Sequence, residues 1–359
     1  MTQPLLRQLP IAITLGDPAG IGPEIIAKAF LQAPQALAGC FVAGDVALMR
    51  RAAALVCPAV PLPLARIAAP QDALAAPPRC VPVLQVVDGA RRCVVPFGQI
   101  SAEAGRMAGE CARWAARAAL RGEVAALVTA PLHKEALAAA GAPWDAFAGH
   151  TELLQAEAAA FLGQPVEQVP VRMMLASPQL RTVLESVHVP LRAAIDTLDA
   201  AHIVQTLQIA HAAVGGMLGR APRVAVAGLN PHAGEGGRFG SEEREIIAPA
   251  VARARQLGID VHGPIAPDTV FMRARHAPPD KPGEFDVVVA MYHDQGLIAV
   301  KYLGVEHGVN VTLGLPLVRT SPDHGTAFDL AGTGQASAAS LLAAVAMARQ
   351  LSAAAAVAA

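Results

Sequence analysis

Hydrophobic positions along this chain fall into two kinds of run. The short runs "IAITL" (11–15), "AALVT" (125–129), "VRMMLA" (171–176), "RVAVAGL" (223–229) and "FDVVVAMY" (285–292) are apolar at almost every position and rich in β-branched residues. That pattern predicts strands covered on both faces. The longer runs "PEIIAKAFLQ" (23–32), "EAGRMAGECARWAARAALRG" (103–122) and "RAAIDTLDAAHIVQTLQIAHAAVGGML" (192–218) space their apolar residues as a helix does. The terminal "SLLAAVAMARQLSAAAAVAA", broken by Arg349, predicts an amphipathic helix with a frayed end. Strand–helix alternation of this kind predicts an α/β fold with a largely parallel sheet. The Pro- and Ala-rich stretch 57–90 predicts loops, and 273–285 predicts an exposed insertion.

Composition narrows the class. The 359 residues leave room for two domains. The net charge is −1 with no basic stripe, so nucleic-acid binding has no electrostatic footprint. No uninterrupted apolar run reaches the ~18–20 residues that span a bilayer, so no membrane segment is expected. Five cysteines (Cys40, Cys57, Cys80, Cys93, Cys111) include no C-x-x-C pair. An odd count without metal spacing predicts reduced thiols in the cytoplasm.

The candidate chemistry lies in loops that follow predicted strands, where open α/β sheets place ligands. These are "GDPAGIGPE" (16–24), "ESVHVPL" (185–191), "NPHAGEGGRFG" (230–240) and "YHDQG" (292–296). His188, His232 and His293 each sit in or just beyond an apolar run. Singly, each fits a structural histidine. Together, three imidazoles at strand ends suit one divalent cation with a position left open for substrate. The loop holding His232 is glycine-rich, as phosphate loops are, or as a plain tight connection is. The helix predicted after it starts at Ser241 as N-cap, with Glu242 and Glu243 in its first turn, and those acids would repel a phosphate. The glycines of "GDPAGIGPE" do not fit G-x-G-x-x-G, while Pro23 suits a first helical turn. Anion contacts are offered by His150 and Thr151 in "GHTELL", by Lys301 in "VKYLG", and by Asn310 and Arg319 in "VNVTLGLPLVRTSPDHGTAFDLAG". A surface salt bridge is the alternative for any one of these.

Taken together, "TLGDPAGIGPEI", "TAPLHKEAL", "GHTELL", "GLNPHAGEGG", "PDTVF", "AMYHDQGL" and "VNVTLGLPLVRTSPDHGTAFDLAGTG" resemble the 4-hydroxythreonine-4-phosphate dehydrogenase family of pyridoxal phosphate biosynthesis. The resemblance runs from about residue 11 to about residue 345. It implies two α/β/α domains with an interdomain cleft, as in isocitrate and isopropylmalate dehydrogenases. The expected division is 1–140 plus 305–359 against 141–304, the latter carrying metal ligands and dimer contacts. It implies an NAD- or NADP-dependent oxidation of 4-phosphohydroxy-L-threonine at C3 to a β-keto acid, which decarboxylates to 3-amino-2-oxopropyl phosphate. One divalent metal (Zn, Mg or Co) falls on His188, His232 and His293. Substrate contacts fall on His150, Thr151, Lys301, Asn310 and Arg319. Asp268, Asp294 and Lys301 are candidates for catalysis, the two aspartates by moving a proton or supporting the histidines. By analogy with the isocitrate-type fold, the dinucleotide meets His324, Gly325 and Thr326. A homodimer with active sites built from both subunits is implied as well. Paralogues of the same pattern act on 4-phosphoerythronate or 4-phosphothreonate. A non-catalytic metal- or phosphometabolite-binding protein would need a lost ligand, and none is lost.

Overall fold

The computed structural model of the chain describes residues 9–60, 62–87, 95–277 and 281–358. Cys93 and parts of the stretches 57–90 and 273–285 lie outside the described residues. The chain begins with strand β1 (Ile11–Thr14), helix α1 (Gly22–Gln32), β2 (Cys40–Gly44), α2 (Val46–Val56), β3 (Leu64–Ile67) and β4 (Val81–Gln85). It continues through α3 (Ala102–Leu120), β5 (Ala126–Thr129), α4 (Lys134–Ala139) and α5 (His150–Leu162). Then come β6 (Arg172–Ala176), β7 (Arg181–Leu184), α6 (Leu191–Asp196), α7 (Ala200–Leu218) and β8 (Val224–Ala227). Next are α8 (Ala248–Gln256), β9 (Val261–Ile265), α9 (Pro267–Ala274), β10 (Val287–Ala290) and α10 (His293–Lys301). The chain closes with β11 (Val309–Leu313), β12 (Arg319–Pro322) and α11 (Ala339–Ala358).

Two compact units result: the described residues to Pro170 with Leu315–Ser352, and Val171–Gly314 with the residues from Ala353. The division places α5 with the first unit and β11 with the second, against the expected limits of 140/141 and 304/305. The reasons are local. Arg113 and Arg117 of α3 both pair with Glu157 of α5. Strand β11 pairs antiparallel with β6 from Val309↔Ala176 to Leu313↔Arg172.

In the first unit the strand order is β3-β4-β2-β1-β5-β12, and every pairing is parallel. Strands β1, β2 and β5 are buried at every residue, which explains their uninterrupted apolar runs. Gly105 and Gly109 lie one helical turn apart on α3 and let neighbours approach closely. A Cβ at Gly105 would stand 1.9 Å from the Ala136 carbonyl oxygen, and one at Gly109 2.4 Å from the Trp144 ring.

In the second unit the order is β11-β6-β7-β10-β8-β9. Strand β6 is antiparallel to both neighbours, while β7, β10, β8 and β9 run parallel. The predicted helix over 192–218 is two helices. Asp199 restarts the second by accepting from the His202 amide at 2.9 Å, so α7 has a side-chain cap. No helix among the described residues is long and apolar enough to cross a membrane.

The glycine contacts generate a stability prediction. Gly105→Ala should destabilise the protein by about 1–3 kcal/mol, because backbone rather than a flexible side chain must move. An unchanged thermal midpoint would mean that α4 shifts without cost.

Candidate active site

Strands β7, β10 and β8 are neighbours in that order and run parallel. Their C-terminal ends therefore share one edge of the second unit, and the segments leaving them carry His188, His293 (the first residue of α10) and His232 respectively. Neither the adjacency nor its order can be read from a sequence in which these loops are tens of residues apart.

The loop after β8 is held in an unusual backbone. His232, Ala233, Gly234, Glu235 and Gly236 all have positive φ, between 43° and 82°. Three of them are not glycine, and each left-handed non-glycine residue costs roughly 1–2 kcal/mol. A buried carboxylate holds the entrance to this segment. Glu243 accepts from the amides of Leu229 at 2.7 Å and Asn230 at 2.6 Å, and from Asn230 Nδ2 at 2.9 Å. A Cβ at Gly234 would stand 2.7 Å from that carboxylate, so glycine is required there. Asn230 Nδ2 also donates to Glu242 at 2.7 Å. Ser241 does not cap the helix as expected: its Oγ donates to the Glu245 carboxylate at 2.9 Å. The chain instead enters α8 through a π-helical turn, Glu243–Ile247, which turns Glu243 back toward the loop.

The three loops are cross-linked. Gln295 accepts from the Met291 amide at 2.7 Å and donates to the Gly228 carbonyl at 2.7 Å. Ser186 Oγ donates to the Met291 carbonyl at 2.9 Å. Behind the His188 loop, Glu185 is buried and bonded to His202 and Thr206. Arg172 bonds Thr206 at 2.6 Å and Gln205 at 3.0 Å in the same cluster.

Two cavities open at this edge. One, of about 620 Å³, is bordered by His232, Asp268, Tyr292, Asp294 and Gln295 with apolar neighbours and no lysine or arginine. The other, of about 220 Å³, is bordered by His188 and His293 and shares Tyr292 and Asp294 with the first. The His188 and His293 ring centroids are 5.8 Å apart. With metal–nitrogen bonds of about 2.0–2.1 Å, two imidazoles on one cation have centroids roughly 5–6 Å apart, so this pair fits a shared ion. His293 Nδ1 meets Asp294 at 2.7 Å, which leaves its other ring nitrogen for a ligand. His232 stands in the adjoining cavity. Among the described residues no three His, Cys, Asp or Glu side chains form a metal-holding group. Lys301 ends α10, eight residues or ~12 Å along the helix from His293. Asn310 is half-buried on β11.

The first unit holds the other predicted residues. Strands β1, β5 and β12 are adjacent and parallel, so their following loops also share an edge. Arg319 is buried at 4% exposure and donates to Thr129 Oγ1 at 2.7 and 3.0 Å. Burial lowers its pKa to about 10, offset in part by Glu152. His150 is the first residue of α5, with Thr151 next to it. The His150 Nε2 is sealed from solvent without a hydrogen-bond partner. Burial first, and the charge of Arg319 second, hold its pKa well below 6.5, so it is a neutral imidazole.

The loop 323–332 packs on the loop after β1. Ile21 donates its amide to the Thr326 carbonyl at 3.0 Å, and a Cβ at Gly20 would touch Thr326 at 2.8 Å. His324 Nδ1 lies 3.0 Å from the Gly325 carbonyl, and its Nε2 is buried without a partner. Phe328 stacks on His133 at 4.7 Å. Asp17, fully buried, accepts from the Ala19 amide at 2.8 Å, and burial raises its pKa. Nothing in the sequence pattern marks Asp17, Ser186 or Gln295 individually. Gln295 at least lies inside the polar motif "YHDQG", and Glu243 had been read only as a first-turn acid.

Parallel strands in each unit, with imidazoles and carboxylates following the C-terminal ends of those in the second and a buried guanidinium on β12 of the first, define an α/β enzyme of small polar metabolites. The chain belongs to the family of the pyridoxal phosphate biosynthetic protein PdxA, which it matches over residues 36–348. It is 48% identical to a 4-hydroxythreonine-4-phosphate dehydrogenase of Beijerinckia indica, over 92% of both chains. It is 43% identical to a D-threonate 4-phosphate dehydrogenase of Salmonella typhimurium, over 95% of this chain and 98% of that one. Its fold matches the crystal structure of a 4-hydroxythreonine-4-phosphate dehydrogenase from Klebsiella pneumoniae with a TM-score of 0.81 and 41% identity, covering 96% of this chain and 100% of that one.

Two outcomes follow from this geometry. Glu243→Gln puts an amide N–H against amide donors, and should cost about 1–3 kcal/mol of stability and lower kcat/KM. Normal activity and midpoint in that variant would show that the loop holds itself. The second concerns pH. The unfolded chain takes a proton at His150 near pH 6.5 that the folded chain refuses, so this residue costs stability as pH falls below that value. Denaturant titrations from pH 7 to 5 should show a shallower loss in His150→Gln, by up to ~1.4 kcal/mol per pH unit. Parallel curves would mean that His150 is protonated in the fold.

Proposed function

We propose that the chain is a divalent-metal-dependent dehydrogenase. In this reading it oxidises 4-phosphohydroxy-L-threonine at the C3 hydroxyl with NAD or NADP, within pyridoxal 5'-phosphate biosynthesis. The observation that carries it is the placement of His188, His293 and His232 on loops leaving three adjacent parallel strands. The cation, Zn, Mg or Co, would rest on these histidines, with His188 and His293 already at a shared-ion distance. The exposed His232 has to turn toward the same ion. When bound, such a cation lowers the pKa of an alcohol and a nicotinamide accepts hydride.

The chain's own residues do the rest. Asp294 or Asp268 accepts the hydroxyl proton as C3 gives up hydride, and Asp294 orients His293 through its Nδ1. Oxidation yields a β-keto acid, whose C–C bond to the carboxylate breaks to release carbon dioxide. Lys301 is the candidate proton donor to the carbon left behind, giving 3-amino-2-oxopropyl phosphate. Arg319 and Lys301 supply positive charge for phosphate and carboxylate. His150, Thr151 and Asn310 supply neutral donors. Neutral His150, with an unpartnered buried Nε2, suits a hydrogen bond to a ligand oxygen. His324, Gly325 and Thr326 are the proposed dinucleotide contacts, on a loop braced by Ile21 and Phe328.

A homodimer with sites shared between subunits belongs to this reading. Val189, Leu191, Met272, Ile298 and Tyr302 are exposed apolar residues, all in the second unit. A cytoplasmic setting fits the unpaired Cys40, Cys57, Cys80 and Cys111. A second reading is supported by the 43% identical D-threonate 4-phosphate dehydrogenase: the same chemistry on a substrate with hydroxyl in place of the amino group.

The test is NADH or NADPH formation by metal-loaded protein on 4-phosphohydroxy-L-threonine, 4-phospho-D-threonate and 4-phospho-D-erythronate. The amino acid should give the highest kcat/KM, and His232→Ala should abolish turnover and bound metal together. A preference for either sugar acid would move the enzyme to sugar-acid catabolism. Full metal content with near-normal kcat in His232→Ala would remove that residue from the metal site.

A further inference from the structure

We infer that Gln295 is a positioning residue that sets the spacing of the three histidine loops by bracing the Met291 peptide. The inference rests on the metal-site reading above. Strand β10 lies between β7 and β8, and Met291 is the first residue beyond it. On the β7 side, the Glu185 amide still donates to the Ala290 carbonyl at 2.9 Å. On the β8 side the paired residues stop at Val289↔Val226. Past these points side chains take over. Ser186, two residues before His188, donates to the Met291 carbonyl at 2.9 Å. Gln295 accepts from the Met291 amide at 2.7 Å and donates to the carbonyl of Gly228, four residues before His232, at 2.7 Å. Met291 itself is two residues before His293. The backbone of Met291, the Gln295 amide and the Ser186 hydroxyl thus tie together the segments of all three histidines.

Gln295 is suited to this by its chemistry. Its side chain both accepts and donates, at a length that reaches two backbones. The Met291 amide can only donate, so the Gln295 oxygen must face it, and the nitrogen then faces Gly228. Glutamate would keep the first bond and lose the second. Met291 is 1% exposed, so water does not compete freely for its peptide. Gln295 follows His293 by two residues on α10, and it borders the cavity that contains His232. Metal affinity should therefore depend on Gln295 although no ligand atom comes from it.

The experiment is Co(II) titration of the purified full-length protein, read by a competing chelator and by the visible absorption of bound cobalt. Wild type, His232→Ala, Gln295→Glu, Gln295→Met and the Gln295→Glu/His232→Ala double variant are compared. Both Gln295 variants should bind Co(II) roughly 10- to 100-fold more weakly than wild type, the range expected for residues that orient metal ligands. The cobalt spectrum of Gln295→Glu should shift toward that of His232→Ala. His232→Ala should cost less affinity in the Gln295→Glu background than alone, because the two changes act on one loop. Wild-type affinity and spectrum in the Gln295 variants, with His232→Ala still defective, would overturn the role of Gln295 and leave the metal site standing. A lowered melting point with unchanged affinity would overturn it too, assigning Gln295 to packing. No Co(II) binding by wild type, or binding indifferent to His232→Ala, would sink both readings. If Gln295→Met does not fold, the near-isosteric Gln295→Glu decides.

Discussion

The carboxylate of Glu243 is the constraint on which the candidate metal loop depends. Five consecutive residues, His232 to Gly236, take left-handed backbone, and nothing in their own sequence except two glycines favours it. A buried charge is costly unless hydrogen bonds surround it. Here the loop amides that need an acceptor and the carboxylate that needs donors satisfy each other. The π-helical turn at Glu243–Ile247 belongs to the same arrangement, since it orients the acid toward the loop. In "NPHAGEGG" Gly234 therefore makes room for a carboxylate within the protein, which takes the Leu229 and Asn230 amides that a phosphate-binding loop would have offered to a ligand.

How much of this was legible depended on where each residue sits. Strands buried on both faces announced themselves, because β1, β5, β8 and β10 have no polar face to confuse the pattern. Strand β3 is half-exposed and sits at a sheet edge, and its "LARI" gives no such signal. The break between α6 and α7 was hidden because the apolar spacing continues through it, while Asp199 alone marks the new start. Ser241 misled for a related reason: a cap residue was present, but Glu243 found better partners in the loop than a helical first turn could offer. The histidines were visible as polar residues beyond apolar runs. That their strands are neighbours was not, since strand order is set by crossovers and leaves no local trace.

The two units differ in the charge they present. The larger cavity of the second unit has Asp268, Asp294 and His232 on its border and no lysine or arginine, which suits a cation. The first unit contributes a buried guanidinium, Arg319, and a neutral imidazole, His150, which suit an anion. Keeping Arg319 beneath the surface on Thr129 also fixes its fork.

The bracing of the loops bears on how one frame can serve different substrates. Relatives named for 4-hydroxythreonine 4-phosphate and for D-threonate 4-phosphate stand at 48% and 43% identity to this chain, each across more than nine-tenths of it. Discrimination between an amino group and a hydroxyl is a matter of one or two hydrogen bonds or one charge, so it does not require a different sheet. In this chain the loops are braced by Glu243 at the base of the His232 loop and by Ser186 and Gln295 on the backbone of Met291, the last two also bordering the cavities. Other residues on the border of the larger cavity, such as Phe271 and Ile298, make none of these bracing hydrogen bonds, so they can differ without breaking them. A brace made of side-chain-to-backbone hydrogen bonds sets loop spacing through atoms that no substrate group has to match, so a change in one or two ligand-facing residues leaves the frame in place.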